Sequence, residues 1–205
     1  MGSGTFTPIT ESPPTPAPEA LCFAFSRFEL LVHDEYPLVS VPTIENLEDA
    51  DLLPARIHFL GYWHTSEGEI PCYTAELNDA VAIAPEGTVF LGLRTLFNRG
   101  NEDLFQIAGQ AVQVTDWDRT HQFCSRCGTP TQDQPHERAK VCPNCGLISY
   151  PRLSPAMIVR VQRVNSHGER EILLARNRRF PNGLFSILAG FVEPGETLEE
   201  CVARG

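Results

Sequence analysis

The sequence has no apolar stretch long enough to cross a bilayer, so it offers no candidate membrane-spanning helix. Its first twenty residues lack the basic stretch and apolar core of a secretory leader. Basic side chains are scarce: 16 Lys and Arg stand against 26 Asp and Glu, for a formal charge of −10. Bulk nucleic acid and anionic membranes both favour a basic surface, so neither is expected as the main partner. Residues 1–20 are also poor in apolar side chains. Pro8, Pro13, Pro14, Pro16 and Pro18 sit there among Thr, Ser and Glu, which bury too little surface to offset ordering, so a disordered tail is expected. What remains is ordinary, with 42% hydrophobic residues in a 205-residue chain, enough for one large or two small cores. Without an export signal, the cytoplasm is the expected compartment.

Cysteine breaks this plainness. Four of the seven form two Cys-x-x-Cys pairs, Cys124/Cys127 and Cys142/Cys145, each followed by a glycine, Gly128 and Gly146. Each pair can close a tight turn that aims two sulfurs at one point, and four thiolates at one point make a tetrahedral zinc site. Two disulfides or four free buried thiols are the alternatives. Against a disulfide framework stand the odd total and the scattered Cys22, Cys72 and Cys201. A closed four-sulfur shell leaves no position for water, so one structural Zn2+ per chain is expected and any catalysis lies elsewhere.

Along the chain, residues 21–32, 38–41, 57–62 and 70–77 read as extended apolar segments, the last two joined by a hairpin loop at 64–69. Residues 80–84 and 88–93 are further extended pieces around a turn at 85–87. A β-rich N-terminal domain over 21–118 follows. His33, His58 and His64 are isolated within it, and isolated histidines on half-buried strands are more often structural than functional. Asn101 is expected to cap a helix with Glu102 and Asp103 in its first turn and Leu104, Phe105, Ala108, Ala111, Val112 and Thr115 facing the core. The ribbon spans 119–151. Between its knuckles, His136, Glu137, Arg138 and Lys140 read as a solvated loop. In residues 152–205, strands at 156–164 and 171–176 form a hairpin around a loop at 165–169, and a third strand covers 185–189. A capping box, Thr197 with Glu200, then opens a helix with Leu198, Cys201 and Val202 on one face.

Gly190, five residues, Glu196, seven residues and Arg204 match the first part of a Nudix box, whose pattern continues Arg-Glu-apolar-x-Glu-Glu-x-Gly. The box follows a hairpin and a strand, and it sits behind a four-cysteine ribbon ending in Tyr150-Pro151. Asp118-Arg119-Thr120-His121 leads into Phe123-Cys124. With these features the chain resembles the NADH pyrophosphatase subfamily of Nudix hydrolases over about residues 20–204. That resemblance implies an α+β protein: a β-rich N-terminal domain, the zinc ribbon, and the N-terminal part of a Nudix α/β/α sandwich domain over 152–205. It implies hydrolysis of the pyrophosphate of NAD(H) to nicotinamide mononucleotide and AMP, and in some members removal of NAD caps from RNA. Mg2+ or Mn2+ on glutamates of the box helix would neutralise the diphosphate and activate water. Residue by residue, Cys124, Cys127, Cys142 and Cys145 match the zinc ligands. Glu137, Tyr150 and Arg94 match dinucleotide contacts, Phe191 an aromatic that stacks on a substrate ring, and Ala189 a carbonyl near the catalytic metal. Glu196 and Arg204 match the pair that braces the metal-binding helix. The residues alone leave Tyr150 and Phe191 readable as packing aromatics, and Glu137 as a surface charge.

The match is partial. Gly205 stands where the pattern has Glu, and the two later glutamates are not among these residues. The expectation is therefore a member truncated within the box, inactive alone. Its residues 152–205 would expose apolar faces and be marginal unless covered, whereas the full-length form is expected to be a homodimer. A competing reading is a non-catalytic ribbon module that binds a dinucleotide or a protein. A third is nucleic-acid binding through Arg119, Arg126, Arg138 and Lys140, which the overall acidity opposes.

Overall fold

The computed structural model describes residues 4–205 except 12–14, 53, 55, 78–82, 100–101 and 179–182. They form two units, Met1–Pro151 and Arg152–Gly205. In the first, seven strands build one sheet: β1 (Thr5–Pro8), β2 (Leu21–Ser26), β3 (Glu29–Glu35), β4 (Leu38–Ser40), β5 (Ile57–Thr65), β6 (Gly68–Glu76) and β7 (Thr88–Gly92). Their order is β1-β5-β6-β2-β3-β4, with β7 also paired to β3. The helices of this unit are α1 (Ile44–Asp49), α2 (Leu93–Arg99) and α3 (Glu102–Thr120).

Strand β2 sets the layers. Its alternation sends Leu21, Phe23 and Phe25 to one face, packed with Leu104, Ile107, Ala108 and Ala111 of α3. Cys22 and Ala24 go to the other, with Ile44 and Leu47 of α1. Buried on both faces, β2 takes an interior position and runs parallel to β6. Thr74 of β6 and Thr115 of α3, both buried, satisfy each other at 2.7 Å between sheet and helix. The helix stripe is offset from the expected one: Ile107, Val114, Trp117 and Asp118 are buried, whereas Phe105 and Val112 lie at its half-buried flank.

Three features depart from the sequence reading. The tail is not disordered throughout, because Thr5–Pro8 pairs antiparallel with β5, Phe6 against Trp63. The pairing needs Gly61, whose φ is +142° and where a Cβ would meet the Thr7 carbonyl oxygen at 2.1 Å. Helices α1 and α2 were not expected. Thr43 caps α1, with Asn46 returning a bond to the Thr43 N–H at 3.0 Å. Asn101, residues 80–82, Pro13 and Pro14 lie outside the described residues.

The ribbon contributes three short antiparallel strands, β8 (Gln132–Asp133), β9 (Lys140–Val141) and β10 (Ile148–Ser149), in the order β10-β9-β8. The second unit holds β11 (Ala156–Val159), β12 (Gln162–Val164), β13 (Arg170–Ile172), β14 (Leu188–Phe191) and α4 (Leu198–Arg204). The expected hairpin is divided: β12 pairs with β13, while β11 pairs with β14, which starts three residues later than expected. Thr197 and Glu200 form the expected capping box. Of the helix face read from sequence, Cys201 is buried but Leu198 and Val202 are exposed, as are Leu153, Ile158, Val164 and Phe185. Among the described residues, no helix is long and apolar enough to cross a membrane.

Candidate functional site

The two knuckles repeat one geometry. Gly128 N–H donates to the Cys124 carbonyl and Gly146 N–H to the Cys142 carbonyl, both at 2.9 Å, with the glycines at φ +74° and +68°. These left-handed positions let each turn reverse within four residues. The four sulfur atoms lie within 4.8 Å of one another, with close pairs at 3.5–3.6 Å. Tetrahedral zinc with Zn–S bonds of 2.3 Å separates sulfurs by about 3.8 Å, so the set fits Zn2+. The Thr129 hydroxyl and N–H, with Asn144, pull the Cys127 thiol down to about 5. Against an N–H from Leu147, burial and the three neighbouring sulfurs push Cys145 up to about 11. A dication removes that conflict by stabilising all four thiolates. His136 is not part of the cluster.

Glu137 and Tyr150, read from sequence as substrate contacts, are brought together: the phenol donates to the carboxylate oxygens at 3.2 and 3.3 Å. Both are exposed, so Tyr150 is not a packing aromatic. The hydrogen bond and charge of Glu137 push the Tyr150 phenol above its ordinary value. Beside Glu137 opens a cavity of about 340 Å3, lined among others by His58, Trp117, His136 and Arg138. Arg94 lies exposed on α2.

Sequence reasoning missed the charge cluster beneath this pair. Lys140 is not on a solvated loop but 3% exposed, with its Nζ 2.8 Å from both Asp118 and Asp133. Asp118, also buried, further takes Arg56 Nε at 2.7 Å and lies 3.0 Å from His58 Nε2. Burial pushes the Asp118 carboxyl up, but the nearby His58 ring, the Lys140 ammonium and the Arg56 guanidinium outweigh it and hold it well below the usual carboxylate range. Two signals pointed here: Asp118 continues the Leu104, Ala108, Ala111, Thr115 spacing, and Lys140 stands two residues before buried Cys142, the spacing of one side of an extended chain. His33 and His64 also have structural partners, Asn46 at 3.3 Å and Thr7 at 2.9 Å. Of the four basic residues considered for nucleic acid, Arg119 pairs with Glu76 and Asp116, while Arg138 and Lys140 are engaged inside the unit.

In the second unit, Arg204 braces α4. Its Nε meets Glu196 at 2.7 Å, and its Nη2 meets the Phe191 carbonyl at 2.9 Å. The Arg204 bonds to the carboxylate, with one from the Glu193 N–H, lower the Glu196 carboxyl to about 2. The Phe191 ring projects outward, 69% exposed, beside a cleft of about 470 Å3 lined by Leu153, Pro155 and Glu193. Ala189 sits exposed on β14, opposite Ile158. Among the described residues, no carboxylate cluster for a hard cation is assembled here. Both Glu196 oxygens are taken by Arg204, and one Glu200 oxygen accepts the Thr197 N–H. Among the described residues, the four cysteines are the one group placed to hold a metal.

Comparison with known proteins gives the same arrangement. Residues 19–117 match the NADH pyrophosphatase-like rudimentary NUDIX domain, 119–150 the NADH pyrophosphatase zinc ribbon domain, and 155–204 the NUDIX domain. An NAD-capped RNA hydrolase NudC of Pseudomonas aeruginosa is 46% identical over 147 residues, 72% of this chain and 49% of that protein. One of Deinococcus radiodurans is 39% identical over 188 residues, 92% of this chain and 61% of that protein. The chain thus spans about half the length of the curated relatives it matches. Three models in succession along the chain, with the four-sulfur cluster inside the second, place this chain in the NADH pyrophosphatase subfamily of the Nudix family.

Proposed function

We propose that the chain serves NAD(H) diphosphate hydrolysis, releasing nicotinamide mononucleotide and AMP, with NAD-capped RNA as a further substrate. The observation that carries this reading is the exposed Glu137–Tyr150 pair on the zinc-held ribbon. A carboxylate beside a phenol presents an acceptor and a flat ring to a nucleotide, and Arg94 would add a cation; within the second unit, taken by itself, the exposed Phe191 would offer a ring for stacking. Zn2+ on Cys124, Cys127, Cys142 and Cys145 fixes the ribbon and takes no part in the reaction. The Mg2+ or Mn2+ that the box pattern implies would supply charge neutralisation at the diphosphate, but the carboxylates of residues 152–205 do not group to hold it. In our reading Glu196 and Arg204 act as a brace, the working form is a homodimer in the cytoplasm, and residues 1–205 by themselves bind NADH without cleaving it. The test is to titrate the chain with NADH by fluorescence, then to incubate both with Mn2+ and measure AMP. Binding that weakens in Glu137→Gln, with no AMP, is expected. AMP release by the pure chain would overturn the inactivity, and no loss of affinity in Glu137→Gln would overturn the assignment of the pair.

A second reading, a binding module without hydrolysis in any form, draws on the Glu196 carboxylate, both of whose oxygens are engaged by Arg204. A longer form of the protein that binds NADH yet releases no AMP with Mn2+ would favour it.

A further inference from the structure

We propose that Lys140 and Arg138 are positioning residues, which dock the ribbon on the N-terminal sheet so that Glu137 is held against Tyr150. This rests on the reading above that the Glu137–Tyr150 pair touches the dinucleotide.

Residues 134–139 connect β8 to β9 and are closed by two backbone bonds, Gln134 N–H to the Ala139 carbonyl and Ala139 N–H to the Glu137 carbonyl, each 2.9 Å. Glu137 is exposed, but the residues that follow it turn inward: Arg138 is half-buried, and Ala139 and Lys140 are 1% and 3% exposed. The Arg138 Nη2 donates to the Phe59 carbonyl at 2.9 Å and to the Ile9 carbonyl at 3.3 Å, at the edge where β1 meets β5. Lys140, the only lysine in the chain, lies 5.7 Å over the Trp117 ring and bridges Asp118 of α3 to Asp133 of the ribbon. Asp118 is held in turn by Arg56 and His58.

An apolar side chain would cover Trp117 at lower desolvation cost than an ammonium. A charge that must meet Asp118 tolerates only one register of ribbon against helix, and Arg138 adds two directional bonds to the sheet. Between these fixed points Glu137 has little freedom, and the opposing Tyr150 follows the fixed strand β10. Preorganisation of this kind lowers the ordering cost of binding.

The test uses the zinc-loaded 205-residue chain and four variants, Lys140→Ala, Arg138→Ala, Glu137→Gln and the Lys140→Ala/Glu137→Gln double. Three quantities are read: zinc per chain, the nuclear Overhauser contact between the Tyr150 ring and the Glu137 side chain, and the NADH dissociation constant. Lys140→Ala should keep its zinc, lose the contact and bind NADH roughly fivefold more weakly, the size of one hydrogen bond. The double variant should bind no more weakly than the weaker single, because both act through one group. Arg138→Ala, which keeps the Lys140–Asp118 pair, should also lose the contact and carries the same test if Lys140→Ala sheds zinc. Zinc-loaded variants that retain the contact, or affinity losses that multiply in the double, would overturn the positioning role. If Glu137→Gln leaves NADH affinity unchanged, the dinucleotide reading fails, while the Tyr150–Glu137 contact still decides what Lys140 and Arg138 hold.

Discussion

Replacing Asp118 by Ala removes the shared partner of Lys140, Arg56 and His58. Lys140, 3% exposed, would keep only Asp133, whose side chain is 56% exposed. Removing one member of a buried ion pair costs about 3–5 kcal/mol because the other charge is left behind. Asp133 retains part of that pairing, so the low end, about 3 kcal/mol, is expected. Arg56 is 43% exposed, and its share adds about 0–1 kcal/mol. For a chain of this size, about 3 kcal/mol lowers the melting temperature by about 6–12 °C. Thermal unfolding followed by circular dichroism and by tryptophan fluorescence measures it, since Trp117 lies against Lys140. The pH dependence has a definite sign. The folded carboxyl lies below its ordinary range, so its contribution is fully present above that range and fades as pH falls toward the folded value. The gap between wild type and Asp118→Ala should therefore hold from pH 7 to about pH 5 and narrow below about pH 4. A variant melting within about 1 °C of wild type at pH 7 would refute the reasoning.

Three further outcomes follow from the geometry. Gly61→Ala should detach β1, because its Cβ would fall 2.1 Å from the Thr7 carbonyl oxygen; amide exchange of the Thr5–Pro8 segment should rise towards that of an unpaired chain while β2 stays protected. The Glu196–Arg204 brace belongs to a carboxyl lowered to about 2, so it should persist from neutral pH through pH 4 and break only as pH approaches about 2, seen in the Arg204 Nε–H signal. Residues 152–205, with Ile158 and Val164 exposed, should exchange amide protons faster than residues 21–77, where β2 is buried on both faces.

What the sequence revealed was what short range decides. The knuckles are legible because Cys-x-x-Cys-Gly closes its own turn, and the Thr197–Glu200 box because both partners lie within one helical turn. The Glu196–Arg204 pair, eight residues apart, was reached through the resemblance, and the structure joins them. Thr5–Pro8 was hidden because its composition is that of a tail, while its pairing partner lies more than fifty residues away on β5. Helix α1 was hidden because Asn46, in place of the usual Glu or Gln, closes its capping box. The Asp118 cluster joins residues 56, 58, 118, 133 and 140, whose meeting depends on how the ribbon lies on α3, a tertiary fact that no local pattern encodes. Nevertheless, the helical stripe that includes Asp118 and the two-residue spacing of Lys140 from Cys142 each pointed inward, which made a solvated reading of Lys140 the weaker one.

The zinc content of the purified chain, measured together with cysteine alkylation, tests the central claim most directly. One zinc per chain is expected, with Cys124, Cys127, Cys142 and Cys145 resisting alkylation until a chelator is added and then reacting together with the loss of ribbon structure. A folded chain without zinc, or four thiols that react at the same rate with and without chelator, would contradict it.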